Sequence, residues 1–154
     1  MENKKKINED FHQLYSIWKK HRDELALKNV SSYNDFAKRI NYEVVPFIQI
    51  LKNAKILDYG CGCGYVGLLC LLLEGTQVDF FDPLEKNLKY LRYLVNEYNF
   101  NNYKIFSTDL FPEINYYDVF ILYGVLPFSG NAINILRYAR DHSDKLLINL
   151  QTNS

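Results

Sequence analysis

Residues 58 to 67 read DYGCGCGYVG. A carboxylate, glycines at alternate positions and two cysteines stand together, and several chemistries compete for them. Cys61 and Cys63 could offer a metal two thiolates as Cys-x-Cys. A structural zinc takes four ligands. The chain has only one further cysteine, Cys70, and no histidine lies nearby in sequence, so no metal is expected here. From Gly62 the string GCGYVG fits the dinucleotide pattern G-x-G-x-x-G. From Asp58 the same residues fit D-x-G-x-G-x-G. The preceding apolar run ends at Leu57, which makes Gly60 the first loop glycine. In that register the last glycine of the dinucleotide pattern is replaced by Tyr65. Asp58 would also bring a carboxylate close to a pyrophosphate dianion, so a ligand with a cationic group suits it better. Two more acids, Asp82 and Asp109, end later apolar runs, TQVDFFD and YKIFSTD. The plain structural alternatives are a tight turn for the glycines and turn or cap positions for the two acids.

These residues need a frame. KILDY is a short apolar run stopped by glycine, as a buried parallel strand is. Tyr65 to Glu74 then reads as a helix and residues 76–83 as a second strand. Leu84 to Asn99 reads as an amphipathic helix, with Leu84, Leu88, Leu91 and Val95 on one face. A third strand follows at 103–109 and a fourth at 117–125. Asn131 to His142 reads as a helix carrying Ile133, Leu136 and Ala139. KLLINLQ is the fifth strand. Strands alternating with helices of this length are βαβ units. The expected fold is α/β, a doubly wound, mainly parallel five-stranded sheet. Ligands bind such sheets beyond the carboxyl ends of the strands, where the glycine stretch lies. Residues 1–50 read as an N-terminal helical extension, with a helix over 8–28, a second one capped near Ser31 to Asn34 and a short third one from Phe47 to Leu51. Residues 51–154 read as the Rossmann-like core, and 1–154 together as a single domain.

With these elements in order, ILDYGCGCGYVGL resembles the first motif of class I S-adenosylmethionine-dependent methyltransferases, h-h-D/E-x-G-x-G-x-G, at every position. The resemblance runs over about residues 50–150 and takes in Asp82, Asp109 and the fourth-strand segment YDVFILYGVLPF. It implies an S-adenosylmethionine cofactor. Gly60, Gly62 and Gly64 would lie against its methionine part, with Asp58 attracting the ammonium. Asp82 would hold the ribose hydroxyls and Asp109 the adenine amine. Tyr59, Pro83, Leu110 and Tyr123 would complete the walls. The family's adenine and amide N-methyltransferases carry D/N-P-P-Y/F after the fourth strand. Here VLPF stands there, with Val125 in the polar place, so that chemistry finds no support. No catalytic base is identified. His21, on an N-terminal helix able to fold over the pocket, is a candidate beside its ordinary reading as a helix-surface residue. The family sheet has seven strands and this sequence supplies five. The resemblance therefore implies an exposed edge, to be covered by the N-terminal helices, a homodimer partner or a separate subunit. A catalytically degenerate, cofactor-binding partner subunit is the alternative function, and an NAD-binding module a further one.

The composition bounds the partners. Of 154 residues, 18 are Lys or Arg and 18 Asp or Glu. With no net charge there is no bulk attraction to nucleic acid or an anionic membrane. Lys86, Lys89 and Arg92 form a helical stripe that reads as a solvated face. The expected acceptor is thus a small molecule or a protein side chain, with nucleic acid not favoured. The charged N-terminus reads as no secretory signal. Val66 to Leu73 is too short to span a bilayer. A cytoplasmic, reducing location is expected, with Cys70 as a small buried hydrophobe.

Overall fold

The apolar run that ends at the glycines is the central strand of the sheet. The computed structural model describes residues 9–10, 12–13, 15–16, 38, 40–107, 115–124 and 130–149. Five strands form one sheet: β1 (Lys55–Tyr59), β2 (Gln77–Phe81), β3 (Tyr103–Phe106), β4 (Tyr117–Leu122) and β5 (Ser143–Ile148). Their order is β3-β2-β1-β4-β5 and every pairing is parallel. The expected "mainly parallel" sheet is wholly parallel. Residues 40–43 are helical, and Pro46 sits in a 3-10 turn (Val45–Phe47) that leads into the short α1 (Ile48–Leu51). Three helices link strands: α2 (Tyr65–Leu71), α3 (Glu85–Glu97) and α4 (Ala132–His142). The expected helix over 8–28, His21 included, and the caps at Ser31 to Asn34 lie largely outside the described residues.

Strand alternation divides the core. On one face Ile56, Val78, Phe80, Val119 and Ile121 pack with α2 and α3, and with Ile40, Val44 and Leu51 from the segment ahead of the sheet. On the other face Leu57, Phe81, Phe120 and Leu122 pack with Ile135 and Ala139 of α4. The helices change faces because the strand order reverses after β3, and right-handed crossovers in the new direction emerge on the opposite side. The reversal puts the switch-point crevice between the carboxyl ends of β1 and β4.

Two helix faces differ from expectation. On α3, Leu84 is exposed and Leu94 is buried with Leu88, Leu91 and Val95. On α4, Ile133 is 66% exposed and Leu136 is exposed, while Ile135 and Ala139 are buried. Spacing alone allowed either stripe of α4, and the sheet lies under the one bearing Ile135. Among the described residues no helix is long and apolar enough to cross a membrane.

Candidate functional site

β1 delivers the loop to the carboxyl edge. Past Tyr59, the Gly60 and Cys61 N–H groups both donate to the Phe81 carbonyl, at 2.7 and 2.9 Å, so the loop stays laced to β2. Gly60, Gly62 and Gly64 then take φ of 70°, 57° and 80°. At Gly62 a side chain would meet nothing within 4 Å. Its main chain is open to a ligand, and only glycine takes this left-handed conformation without strain. Gly67, in the first turn of α2, is the opposite case. A Cβ there would stand 2.2 Å from the Phe80 ring and 2.9 Å from Asp58 Oδ2, so α2 lies directly on β2.

Asp58 is buried, and its Oδ2 accepts from the Gly67 N–H at 3.2 Å. That donor is one of the first-turn groups a helix cannot satisfy internally. Asp58 thus caps α2 from beneath. Burial first of all, with the Asp82 and Glu43 carboxylates adding to it and the Gly67 hydrogen bond opposing it, raises its pKa to about 7. A nearby cation would favour the ionised form of a carboxyl so placed, so a ligand ammonium is its natural complement.

Asp82 is buried as well. Its Oδ2 accepts from Gly62 N–H at 2.8 Å, and its Oδ1 from Leu84 N–H at 2.8 Å and Asn87 Nδ2 at 3.3 Å. Asp82 thus fills the turn position expected as its plain alternative and, beyond that, holds the glycine loop at Gly62. Such a group has about four acceptor sites, of which three are taken. To hold two ribose hydroxyls it would have to release one partner, and Asn87 is the most distant.

The other expected site residues divide. Tyr59 turns to the α4 face, its ring 4.8 Å from Phe81 and 5.6 Å from Phe120, so only its backbone faces the loop. Pro83 is exposed beside Asp82. Tyr123 stands just past β4, its hydroxyl donating to the Glu43 carbonyl at 2.6 Å. Asp109, Leu110 and the VLPF segment, residues 125–128, lie outside the described residues. The thiols are not poised as metal ligands. Burial pushes Cys61 and Cys63 up, Cys63 to about 11. Among the described residues no three His, Cys, Asp or Glu side chains gather as a metal site.

Sequence reasoning missed Glu43, Tyr65, Gly67 and Asn149. Gly67 was visible as the fourth glycine of the motif, but its packing against Phe80 was not. The other three meet across 22 to 106 residues of chain and carry no local signal.

Comparison with known proteins fits this geometry. Residues 7–141 match the GidB family model, rRNA small subunit methyltransferase G. A search of curated proteins returned no match. Among solved structures the chain is similar to TehB from Haemophilus influenzae, at 25% identity and a TM-score of 0.60 over 75% of this chain and 44% of that one. It is also similar to magnesium protoporphyrin IX methyltransferase from Synechocystis PCC 6803 with bound S-adenosylhomocysteine. There the identity is 18% and the TM-score 0.66 over 76% of this chain and 56% of that one. The chain thus spans about half the length of these structures.

The family match corrects one expectation. Nucleic acid was disfavoured as a partner, and a small molecule or protein preferred as acceptor, whereas the matching family is described by ribosomal RNA. The inference failed because net charge sums groups across the whole molecule, while electrostatic attraction is local, screened within about 10 Å. With the matched family spanning most of its length, its loop on the first strand and its parallel sheet, the chain belongs to the GidB family of class I S-adenosylmethionine-dependent methyltransferases.

Proposed function

We propose that this chain binds S-adenosylmethionine at the carboxyl ends of β1 and β2 and directs its methyl group to small-subunit ribosomal RNA. The observation that carries the cofactor part is the loop itself, with its main chain open at Gly62 between the buried Asp58 and Asp82 carboxylates. The match of residues 7–141 to a family described by rRNA supports the acceptor. Such an acceptor is met in the cytoplasm, which is the location we propose. Residues 1–50 would serve as an extension to the core formed by 51–154.

When bound, the sulfonium supplies an activated methyl for in-line displacement. The chain's part is to bind and orient. Gly60, Gly62 and Gly64 would admit the methionine part against the main chain. Asp58 would meet the ammonium, Asp82 the ribose and Asp109 the adenine amine, with Leu110 and Tyr123 as apolar walls. Holding donor and acceptor in line, in a site that excludes water, supplies most of the rate in such a transfer. A base is needed only where the acceptor loses a proton.

Calorimetry with S-adenosylmethionine, S-adenosylhomocysteine and NAD tests the first half. Binding of NAD alone would end the proposal. Transfer of labelled methyl to small ribosomal subunits or their naked RNA, with protein and small-molecule acceptors as controls, tests the second. Label appearing only in protein or small molecules would refute the RNA acceptor.

A further inference from the structure

Glu43 lies ahead of the sheet in sequence yet reaches the site from three directions. It is 6% exposed. Its Oε2 accepts from the Tyr65 hydroxyl at 2.6 Å and its Oε1 from Asn149 Nδ2 at 3.0 Å. Its main-chain carbonyl accepts from the Tyr123 hydroxyl at 2.6 Å. Asn149 Oδ1 in turn accepts from the Gly124 N–H at 2.7 Å. Tyr65 opens α2 directly after Gly64, Tyr123 and Gly124 follow β4, and Asn149 follows β5. One side chain thus ties the glycine loop's exit to the turn beyond β4, across the switch-point crevice.

The choice of a carboxylate has a physical reason. A buried carboxylate is costly unless its lone pairs are used, and hydrogen bonds to it are short and strong. It can only accept. Asn149 must therefore aim its NH2 at Glu43, which leaves Asn149 Oδ1 for the Gly124 N–H. The orientation of one amide, and with it the seat of Gly124, follows from an acceptor oxygen of a residue 106 positions away. Gly124 has φ of 72°, and a side chain there would meet nothing within 4 Å, so its main chain is as open as that of Gly62.

We propose that Glu43 is a positioning residue for methyl transfer: by binding Tyr65, Tyr123 and Asn149 together it sets the separation between the cofactor loop and the turn after β4. The proposal rests on the methyltransferase reading. It makes the segment ahead of the sheet part of the site, with no contact between Glu43 and the reacting atoms required.

Three variants test it. Glu43→Ala removes both acceptor oxygens from Tyr65 and Asn149. Glu43→Gln keeps an oxygen for Asn149 and turns an N–H towards the Tyr65 oxygen, which can accept, so it preserves the spacing without the charge. Tyr65→Phe cuts one strut alone and is the safer variant for folding. Dissociation constants for S-adenosylmethionine and single-turnover rates are read, beside amide hydrogen exchange at Gly60–Gly64 and Tyr123–Gly124 without ligand. Glu43→Ala and Tyr65→Phe should weaken cofactor binding by about tenfold, the scale of a lost hydrogen bond to a charged group. They should also speed exchange in both segments together. Glu43→Gln should stay within about threefold of the parent. If Glu43→Gln is as damaged as Glu43→Ala, the charge acts directly and positioning is wrong. If Tyr65→Phe binds and reacts like the parent with unchanged exchange, the strut carries nothing and the proposal falls. A parent that binds no S-adenosylmethionine would sink the underlying reading instead, a result distinct from variants that match a binding parent.

Discussion

The two halves of the sheet are finished differently. Around β1 and β2 the carboxyl edge is closed by hydrogen bonds between distant residues: Asp58 to α2, Asp82 to both the loop and α3, and the Phe81 carbonyl to Gly60 and Cys61. The Asp58 and Asp82 carboxylates there are buried. Around β5 and α4 apolar side chains stand open among charged ones, with Ile133, Leu136, Leu146 and Ile148 all exposed. The first half gives up stability to hold carboxylates out of water. The second leaves apolar area unburied, which contributes nothing to the fold as described. Change in the first half should therefore be felt in stability, in ligand binding or in both, and change at the exposed apolar residues of the second in neither.

The largest effect should come from pH, through Asp58. Its folded pKa, about 7, lies above the ordinary 3.8. The folded state thus holds this proton more tightly than the unfolded chain. Its contribution is complete below about pH 4 and is lost as pH rises through about 7, a change on the order of 4 kcal/mol for this group. Urea midpoints of the ligand-free protein between pH 4.5 and 8 should show this fall relative to Asp58→Asn, which keeps an acceptor for Gly67. Cofactor affinity of the parent should move the other way, tightening as Asp58 ionises. Parallel stability curves for parent and Asp58→Asn would show that the closed half carries no such strain.

Next come two glycines that a sequence treats alike. Gly67→Ala must push the fully buried Phe80 ring aside, and overpacking of this kind costs about 1–3 kcal/mol. Gly62→Ala meets no atom, so its stability cost is confined to a left-handed backbone, about 1 kcal/mol. Its Cβ would instead occupy the space open to the ligand. Thermal melts and cofactor titrations should therefore rank the two variants in opposite orders. The same order in both would mean that the opening at Gly62 is not where the ligand lies.

That contrast marks how far the sequence could be read. The five parallel strands and the register of the loop were legible, because buried parallel strands leave apolar runs and a loop leaves its glycines in place. Periodicity reports which residues turn inward, and says little about what they turn to. It could not tell Gly62 from Gly67, nor show that Asp58 also caps α2. On α4 it placed Ala139 correctly and missed Ile135, which is two residues from Ile133 and equally apolar. Glu43 was silent because its partners come from the far ends of α2, β4 and β5. Net charge misled on the partner because it averages over a surface that a partner meets only in part.

The smallest effect should be at the open half, and it decides what that half is. Ile133→Lys and Leu146→Lys each replace an exposed apolar side chain by a charged one of comparable reach. A surface change of this kind shifts stability by no more than about 0.5 kcal/mol. Phe120→Ala, on the buried side of the same layer, should cost about 3–5 kcal/mol. Sheet edges invite pairing with another chain, and a lysine there discourages it. If Leu146→Lys lowers the denaturant midpoint as a core substitution does, this face is covered in solution and the contrast between the halves is one of partners rather than of construction. If stability stays level, the exposed apolar side chains of β5 and α4 add nothing to the hold on the sheet, and β5 rests on its pairing with β4 and on Leu147.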